Sequence, residues 1–315
     1  MEPVARRVLI VEYSQTGQLS RVLDSVAAPL QAAGWVVERL RLQTQPAYPF
    51  PWPFWTFLDT FPETVAQQPP ALEEWVVEAE PDLVLIGYPV WFLSPPPPIT
   101  AFLQDPRAQA LLRGRPVLTL TACRNMWTQA HLDMQALLEA AGARHCDHVA
   151  LTDPGPPMAT FITTPRWMLT GRKGALWGLP AAGLTQAQVD GAARFGKALL
   201  AAAAEGTLDG ARPVLSGLGA AVADPGLAAS EKVAKRSFKI WGRLIRLGGR
   251  PGAWTRRPIL LVYLVFLLTL IVTVVPLSML LRAVLARLAA DRVQAKARAL
   301  ELPSGSDTSR MEDFA

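Results

Sequence analysis

Between residues 12 and 20 the chain reads Glu12-Tyr13-Ser14-Gln15-Thr16-Gly17-Gln18-Leu19-Ser20. Hydroxyl side chains and one glycine lie between a short apolar run, residues 8–11, and a helical pattern, residues 19–33. Such a loop suits an anion, because the first N–H groups of a helix are free, its dipole favours negative charge, and Ser/Thr hydroxyls add donors. The loop has no lysine and matches neither G-x-x-x-x-G-K-[ST] nor G-x-G-x-x-G, so a monophosphate fits it better than a triphosphate or pyrophosphate. A plain Ser/Thr helix cap with a tight turn explains the loop, taken alone, about as well.

An anion loop works only at the right end of a fold. Apolar runs at residues 8–11, 35–42, 83–86, 116–121 and 144–151 read as strands, with helical patterns at 19–33, 72–79, 99–103 and 130–141 between them. Gly34 stops the first helix, and Thr185 followed by Gln188 forms a capping box that opens the last, alanine-rich helix to residue 204. Strands and helices in this alternation imply an α/β, doubly wound five-stranded parallel sheet, whose ligands sit beyond the carboxyl ends of the strands. No repeat of fixed period is present.

Ser14-Gln15-Thr16-Gly17-Gln18 resembles the FMN phosphate loop of flavodoxins, [ST]-x-T-G-x-T, with Leu19 where that family has its last Thr and Ser20 one place later. Pro89-Val90-Trp91-Phe92-Leu93-Ser94-Pro95 resembles the P-x-W-F-x-x-P loop of flavodoxin-like NAD(P)H:quinone reductases. The resemblance covers residues 8–204 and implies a flavodoxin-like fold with FMN as cofactor and NAD(P)H as a further candidate. It implies phosphate contacts from Ser14, Gln15, Thr16, Gly17, Gln18 and Leu19, and ring contacts from the amides and aromatics after Pro89, at Val90, Trp91 and Phe92. The loop after the fourth strand stands where the family has its third flavin contact, which falls on Thr121, Cys123, Arg124, Asn125 and Trp127. The Y-S-Q-T-G-Q-L form and the extra C-terminal segment look most like flavodoxin-type dialkylresorcinol condensing enzymes of bacterial aryl-lipid biosynthesis. That likeness implies a flavin-dependent aromatisation of a cyclic dione. No residue stands out as a catalytic acid, base or nucleophile, and no G-x-S-x-G elbow supports a hydrolase. An FMN electron carrier with no substrate of its own, and a flavin-free scaffold of a biosynthetic complex, are the alternatives.

Two stretches depart from a minimal flavodoxin. Tyr48, Phe50, Trp52, Phe54, Trp55, Phe57 and Phe61 crowd a loop stiffened by Pro46, Pro49, Pro51 and Pro53, which suits an apolar ligand, an interfacial seat or a satellite cluster beneath the loop. Residues 153–184 form an insertion before the last helix, read as a lid over the flavin that also touches the bilayer. His145-Cys146-Asp147-His148 holds metal-ligand types, but strand alternation leaves at most two on one face, so a structural role and no metal site is expected. Gly217-Leu218-Gly219, between Pro213 and Pro225, reads as linker.

Half of the 315 residues are apolar and 18% are charged, which excludes a mostly disordered chain. Residues 1–230 hold 16 basic and 20 acidic residues, whereas 231–315 hold 15 and 6. The positive charge therefore belongs to the tail, which argues against a nucleic-acid-binding body and toward anionic lipid headgroups. Two cysteines make no disulfide framework and fit a reducing compartment. Residues 259–281 carry no formal charge and are long enough to cross about 30 Å of hydrocarbon, with a re-entrant hairpin at Pro276 as the alternative. Domain bounds follow: 1–204 FMN domain; 205–257 linker and basic amphipathic segment, with Val233, Ile240, Trp241, Leu244 and Leu247 at helical spacing; 258–282 transmembrane helix; 283–315 basic helix and disordered tail. The excess of cations before the span favours a cytoplasmic body on a single-pass inner-membrane anchor. Its expected partners are the bilayer and a lipophilic small-molecule substrate, with a homodimer or a biosynthetic complex as further candidates.

Overall fold

The computed structural model describes residues 5–285 and 290–314, with side chains described outside 274–293. In chain order the elements are β1 (Arg7–Glu12), α1 (Gln18–Ala32), β2 (Val36–Arg41), α2 (Phe54–Ala66), β3 (Leu83–Tyr88), α3 (Pro97–Gln104), α4 (Pro106–Leu112), β4 (Pro116–Cys123), α5 (Thr128–Ala140), β5 (Arg144–Thr152), α6 (Pro157–Thr170), α7 (Gln186–Asp190), α8 (Ala193–Ala204), α9 (Pro225–Leu247), α10 (Arg257–Leu285) and α11 (Ala290–Leu300). All strand pairs are parallel, in the order β2-β1-β3-β4-β5. That is the flavodoxin-like winding, with its topological switch between β1 and β3.

Both sheet faces are buried, so the strands read as continuous apolar runs. Val8, Ile10, Leu83, Leu85, Leu118 and Leu120 face α1 and α8, where Val22, Val26, Phe195 and Leu199 meet them. Leu9, Val84, Ile86 and Val117 face Ile99, Phe102, Met134 and Leu138 of α3 and α5. The Thr185–Gln188 capping box forms, but it opens only the short α7, and the alanine-rich helix expected to follow from it is the separate α8.

Four other sequence expectations change. Residues 72–79 form no helix: they run as an extended strap after Pro69-Pro70, with Glu73 N donating to Gln43 O and Trp75 lodged under Arg107. The helix of that crossover is α2 instead, which starts directly after Pro53 and swallows much of the aromatic stretch. Proline is harmless just ahead of a helix, so the prolines set its start rather than a loop. The 205–224 linker is packed, with Leu215, Leu218 and Ala220 fully buried and Ala150 N bonded to Ala220 O. The basic segment is indeed helical as α9, but its inner face lies on α2 through Phe238 and Ile245.

The fourth concerns the C-terminus. Residues 301–314 dock back on the body rather than trailing free: His148 N donates to the Ser304 hydroxyl at 2.8 Å, Ser304 Oγ to Asp147 at 2.7 Å, and Ala223 N to the Glu301 carboxylate at 2.9 Å. Residues 254–273 form one helical stretch long and apolar enough to cross a membrane. The α10 backbone runs through Pro276 to Leu285 without a break, so the hairpin held as the alternative does not turn at that proline; the side chains there lie outside those described.

Candidate functional site

The carboxyl ends of β1, β3, β4 and β5 and the inserted α6 enclose a cavity of about 220 Å³, lined among others by Ser14, Thr16, Val90, Phe92, Cys123 and Arg124. At its first corner, Gly17 takes φ +73°, and a Cβ there would meet nothing within 4 Å, so the turn backbone is open to a ligand. Two internal bonds of the turn are long: Gln18 N to Thr16 Oγ and Ser20 N to Ser14 Oγ, both 3.4 Å. Donors held this loosely are free to turn to a better acceptor. Leu19, in place of the family's Thr, is buried in the sheet core, and the Ser20 hydroxyl donates to Glu12 at 2.8 Å. Ser14, Thr16 and the N-terminus of α1 are therefore what the loop offers an anion. Glu12 is neutralised by Arg39 at 3.2 Å and Arg41 at 3.0 Å.

The second corner is the loop after β3. Trp91 and Ser94 exchange both backbone bonds at 2.9 Å, which forces Phe92 (φ 49°) and Leu93 (φ 59°) into the left-handed region. Two consecutive non-glycine residues there are strained and persist only where surroundings over-determine them. Those surroundings are Tyr13, Tyr48 and Trp52 around the Trp91 ring, and Phe57 and Phe61 against Phe92. From behind, the buried ammonium of Lys235 on α9 donates to Leu93 O at 2.8 Å and pairs with Asp133 at 2.6 Å. The aromatic stretch thus walls the site and adjoins a second apolar groove of about 610 Å³ between α2 and the start of α10.

The third corner is Arg124. Its guanidinium stacks 4.1 Å over Phe161 of α6 and reaches Asn125 Oδ1 at 3.2 Å. Among the described residues it makes no ion pair within 4 Å; burial pulls its pKa down, while the Cys123 sulfur and the Asp153 carboxylate push it back up. A half-buried cation in contact with no carboxylate, with Asp153 acting on it only from a distance, favours an anionic occupant. Burial pushes the Cys123 thiol up, which keeps it protonated and unreactive.

Of the expected contacts, the cavity gathers Ser14, Gln15, Thr16, Gln18, Leu19, Pro89, Val90, Trp91, Phe92, Cys123 and Arg124. Gly17 lines an adjoining pocket of about 470 Å³ with Glu12 and Arg41. Three others point elsewhere. Thr121 ties β4 to β3 through Tyr88 O, Asn125 holds Arg124, and Trp127 packs on His131, His148 and Ala150 rather than forming a flavin wall. Sequence reasoning missed Asp153, Thr164, Trp167, Met168 and Gly183 as individual lining residues, although the insertion's length marked the segment. Asp153 accepts N–H bonds from Gly155 (2.7 Å) and Gly183 (2.6 Å), which folds the insertion onto the site.

No protein-family model matches this sequence, and no curated protein matches it. Solved structures similar to it include a putative flavoprotein from Bacteroides uniformis (19% identity, TM-score 0.36, 47% of this chain and 91% of that one). A flavoprotein in complex with FMN from Lactobacillus acidophilus is another (16%, 0.37, 47% and 93%), as is a flavodoxin from the domain Archaea (10%, 0.33, 60% and 93%).

Proposed function

We propose that this chain is an FMN-dependent redox protein of the membrane surface that acts on a quinone-like or aryl-lipid substrate. The observation that carries this reading is the convergence of the Ser14 and Thr16 hydroxyls, the α1 N-terminus and the unpaired Arg124 at one end of the sheet. Ser14, Thr16 and the amides of Gln18 and Leu19 would hold the phosphate; Val90 and Phe92 would flank the ring, with Arg124 supplying positive charge beside it. FMN, when bound, supplies hydride and electron transfer. The donor chemistry fits this cofactor at the anion end. At the ring end the cavity is below the roughly 300–1,000 Å³ of ordinary ligand sites, with Trp167 and Met168 of α6 on its wall. Binding therefore requires α6 to swing outward, and that movement opens the same face to a substrate.

NAD(P)H is proposed as electron donor, and the apolar groove beside Tyr48 and Trp55 as the approach for a lipophilic substrate. Aromatisation of a cyclic dione in dialkylresorcinol-type biosynthesis is the specific reaction proposed. A second reading, an FMN electron carrier with no substrate of its own, draws on the small cavity at the ring end, which the flavin alone would more than fill. Quenching of FMN fluorescence by the purified protein tests the cofactor, and NAD(P)H consumption with a short-chain quinone separates enzyme from carrier. A protein that neither quenches FMN nor carries a yellow chromophore sinks both.

The membrane reading rests on α9 and α10. Val233, Ile240, Leu244 and Leu247 of α9 and Leu261, Val262, Val265, Leu268 and Val272 of α10 are exposed, with the cations of α9 between them. A single crossing would put residues 294–314 across the bilayer from β5 and break their hydrogen bonds to His148, Asp147 and Ala223, which favours a non-crossing arrangement. The reading advanced is therefore that the apolar helix enters one leaflet, the cytoplasmic one by its basic flanks, with both ends on the side of the body.

A further inference from the structure

The chain has three histidines, and the fold brings all three together: His131 of α5 with His145 and His148 of β5, one ring nitrogen of each lying within 4.8 Å of the others. Strict alternation would put His145 and His148, three residues apart, on opposite faces. A register shift opposite Val117 and Leu118 absorbs Cys146 and returns His148 to the His145 side, where the Thr119 hydroxyl meets both rings at 2.9 and 2.8 Å. His131 and His148 stack at 3.8 Å, and both are fully buried.

The hydrogen bonds leave two nitrogens over. His131 Nε2 lies 2.8 Å from Leu302 O. A carbonyl only accepts, so Nε2 carries the proton and Nδ1 is a bare lone pair, which is buried without a partner. His148 uses Nδ1 on Thr119, and its Nε2 is likewise buried without a partner. Orphaned buried polar atoms are rare in native structures, and each costs about 1–3 kcal/mol. Two on adjacent imidazoles point to a shared ligand that takes lone pairs. Burial keeps all three rings neutral at pH 7. The remaining bonds have the pattern of metal-binding histidines, whose second nitrogen donates to a carbonyl or other oxygen that fixes the ring.

We propose that His131, His145 and His148 bind a divalent first-row transition ion, zinc foremost, that fastens the C-terminal segment to α5 and β5. Imidazole nitrogens suit this class of ion. Nitrogens at about 2.0–2.1 Å from a tetrahedral ion lie roughly 3.4 Å apart, so the rings close by up to about 1.4 Å. Because Leu302 O sits on the His131 ring, fixing that ring also fixes the chain at Leu302 and Ser304.

The test uses untagged full-length protein in detergent, stripped by chelator and titrated with Zn2+ and, separately, Co2+. The wild type takes up one equivalent, gains visible ligand-field bands with Co2+, and rises in Tm with Zn2+. His131→Gln keeps a donor at the Nε2 position for Leu302 O and His148→Asn one at the Nδ1 position for Thr119, so each deletes only the orphaned nitrogen. Both variants fold with the Tm of the metal-free wild type yet bind the ion at least about tenfold more weakly. A folded wild type with neither Co2+ bands nor a Zn2+-dependent Tm overturns the proposal. So do variants that bind the ion as the wild type does.

Discussion

Gln18 and Leu184 exchange both of their amide groups: Leu184 N donates to Gln18 Oε1 at 3.0 Å, and Gln18 Nε2 donates to Leu184 O at 3.2 Å. The first turn of α1 thereby holds the end of the insertion. Gly183 fits because a Cβ there would stand 2.6 Å from Gln18 Oε1 and 2.8 Å from the Trp167 ring. Gln18→Ala removes two buried bonds, each contributing about 1 kcal/mol, so stability falls by roughly 1–3 kcal/mol. Trypsin cleavage at Arg166, Arg172 and Lys173 accelerates, and FMN associates faster. Unchanged cleavage would mean that Asp153 alone holds the insertion.

The proposed phosphate grip is separable from the ring site. Ser14→Ala combined with Thr16→Val removes the two hydroxyls but keeps the turn and its glycine. Hydrogen bonds to a charged group contribute about 1.5–3 kcal/mol, so FMN affinity drops at least about tenfold while riboflavin affinity stays the same. Fluorescence titration with both flavins reads this directly, and equal losses for the two would place the phosphate elsewhere.

Lys235 connects α9 to the loop that walls the site. It is 4% exposed, with burial lowering its pKa and Asp133 opposing that shift. Lys235→Met leaves Leu93 O without its donor and Asp133 without its cation, which costs roughly 3 kcal/mol. Adding Asp133→Leu recovers part of the loss, because an apolar pair of that size often replaces an ion pair at little cost. Thermal denaturation of the two variants measures both steps. No recovery in the double variant would show that the loop carbonyl, rather than the charge pair, carries the cost.

How much of this was legible in the sequence follows from the range of the interactions. The five strands were, because a sheet covered on both faces needs apolar runs, and Val8–Val11 or Leu83–Ile86 announce themselves by composition. The anion loop was legible because its hydroxyls and glycine are contiguous. The aromatic stretch was misread because Pro49, Pro51 and Pro53 masked the start of α2. Trp127 was given to the flavin by its position in the loop, whereas its orientation is set by β5 and residues 221–223, far away in sequence. The histidine cluster depends on one register shift, which no local pattern reveals.

Glu231 gives a pH signature. The carboxyl is 1% exposed, accepts from the Thr128 hydroxyl and Gln129 N, and burial raises its pKa from 4.5 to about 7. Between those values the folded state holds a proton that the unfolded state releases, so its contribution is complete below pH 4.5 and is lost as pH rises through 7. Glu231→Gln removes this dependence and offers a donor-bearing amide at the orphaned Oε1 position. The variant matches the wild type near pH 4 and is more stable at pH 8 by on the order of 3 kcal/mol, because the shift spans about 2.5 units at about 1.4 kcal/mol per unit. Urea midpoints at the two pH values measure it, and a constant difference would show that Glu231 stays charged.

The docked tail decides how the apolar helix meets lipid. Residues 254–273 are apolar around much of their surface, and the exposed face of α9 alternates Ile240, Leu244 and Leu247 with Arg236, Lys239 and Arg243. An amphipathic basic helix binds a bilayer by buried apolar area plus attraction to anionic lipid, so the protein floats with vesicles containing anionic phospholipid and, in high salt, less so. Cys146 is buried, and Cys123, partly exposed in the cavity, is replaced by Ala, which leaves an introduced thiol as the only accessible one. Ser309→Cys in the tail and Glu205→Cys on the body are both exposed. An impermeant maleimide labels them from the same side of the membrane if both ends of α10 stay with the body. Labelling from opposite sides would restore a single crossing and require the bonds from Ser304 to His148 and Asp147 to be absent in the bilayer-bound protein.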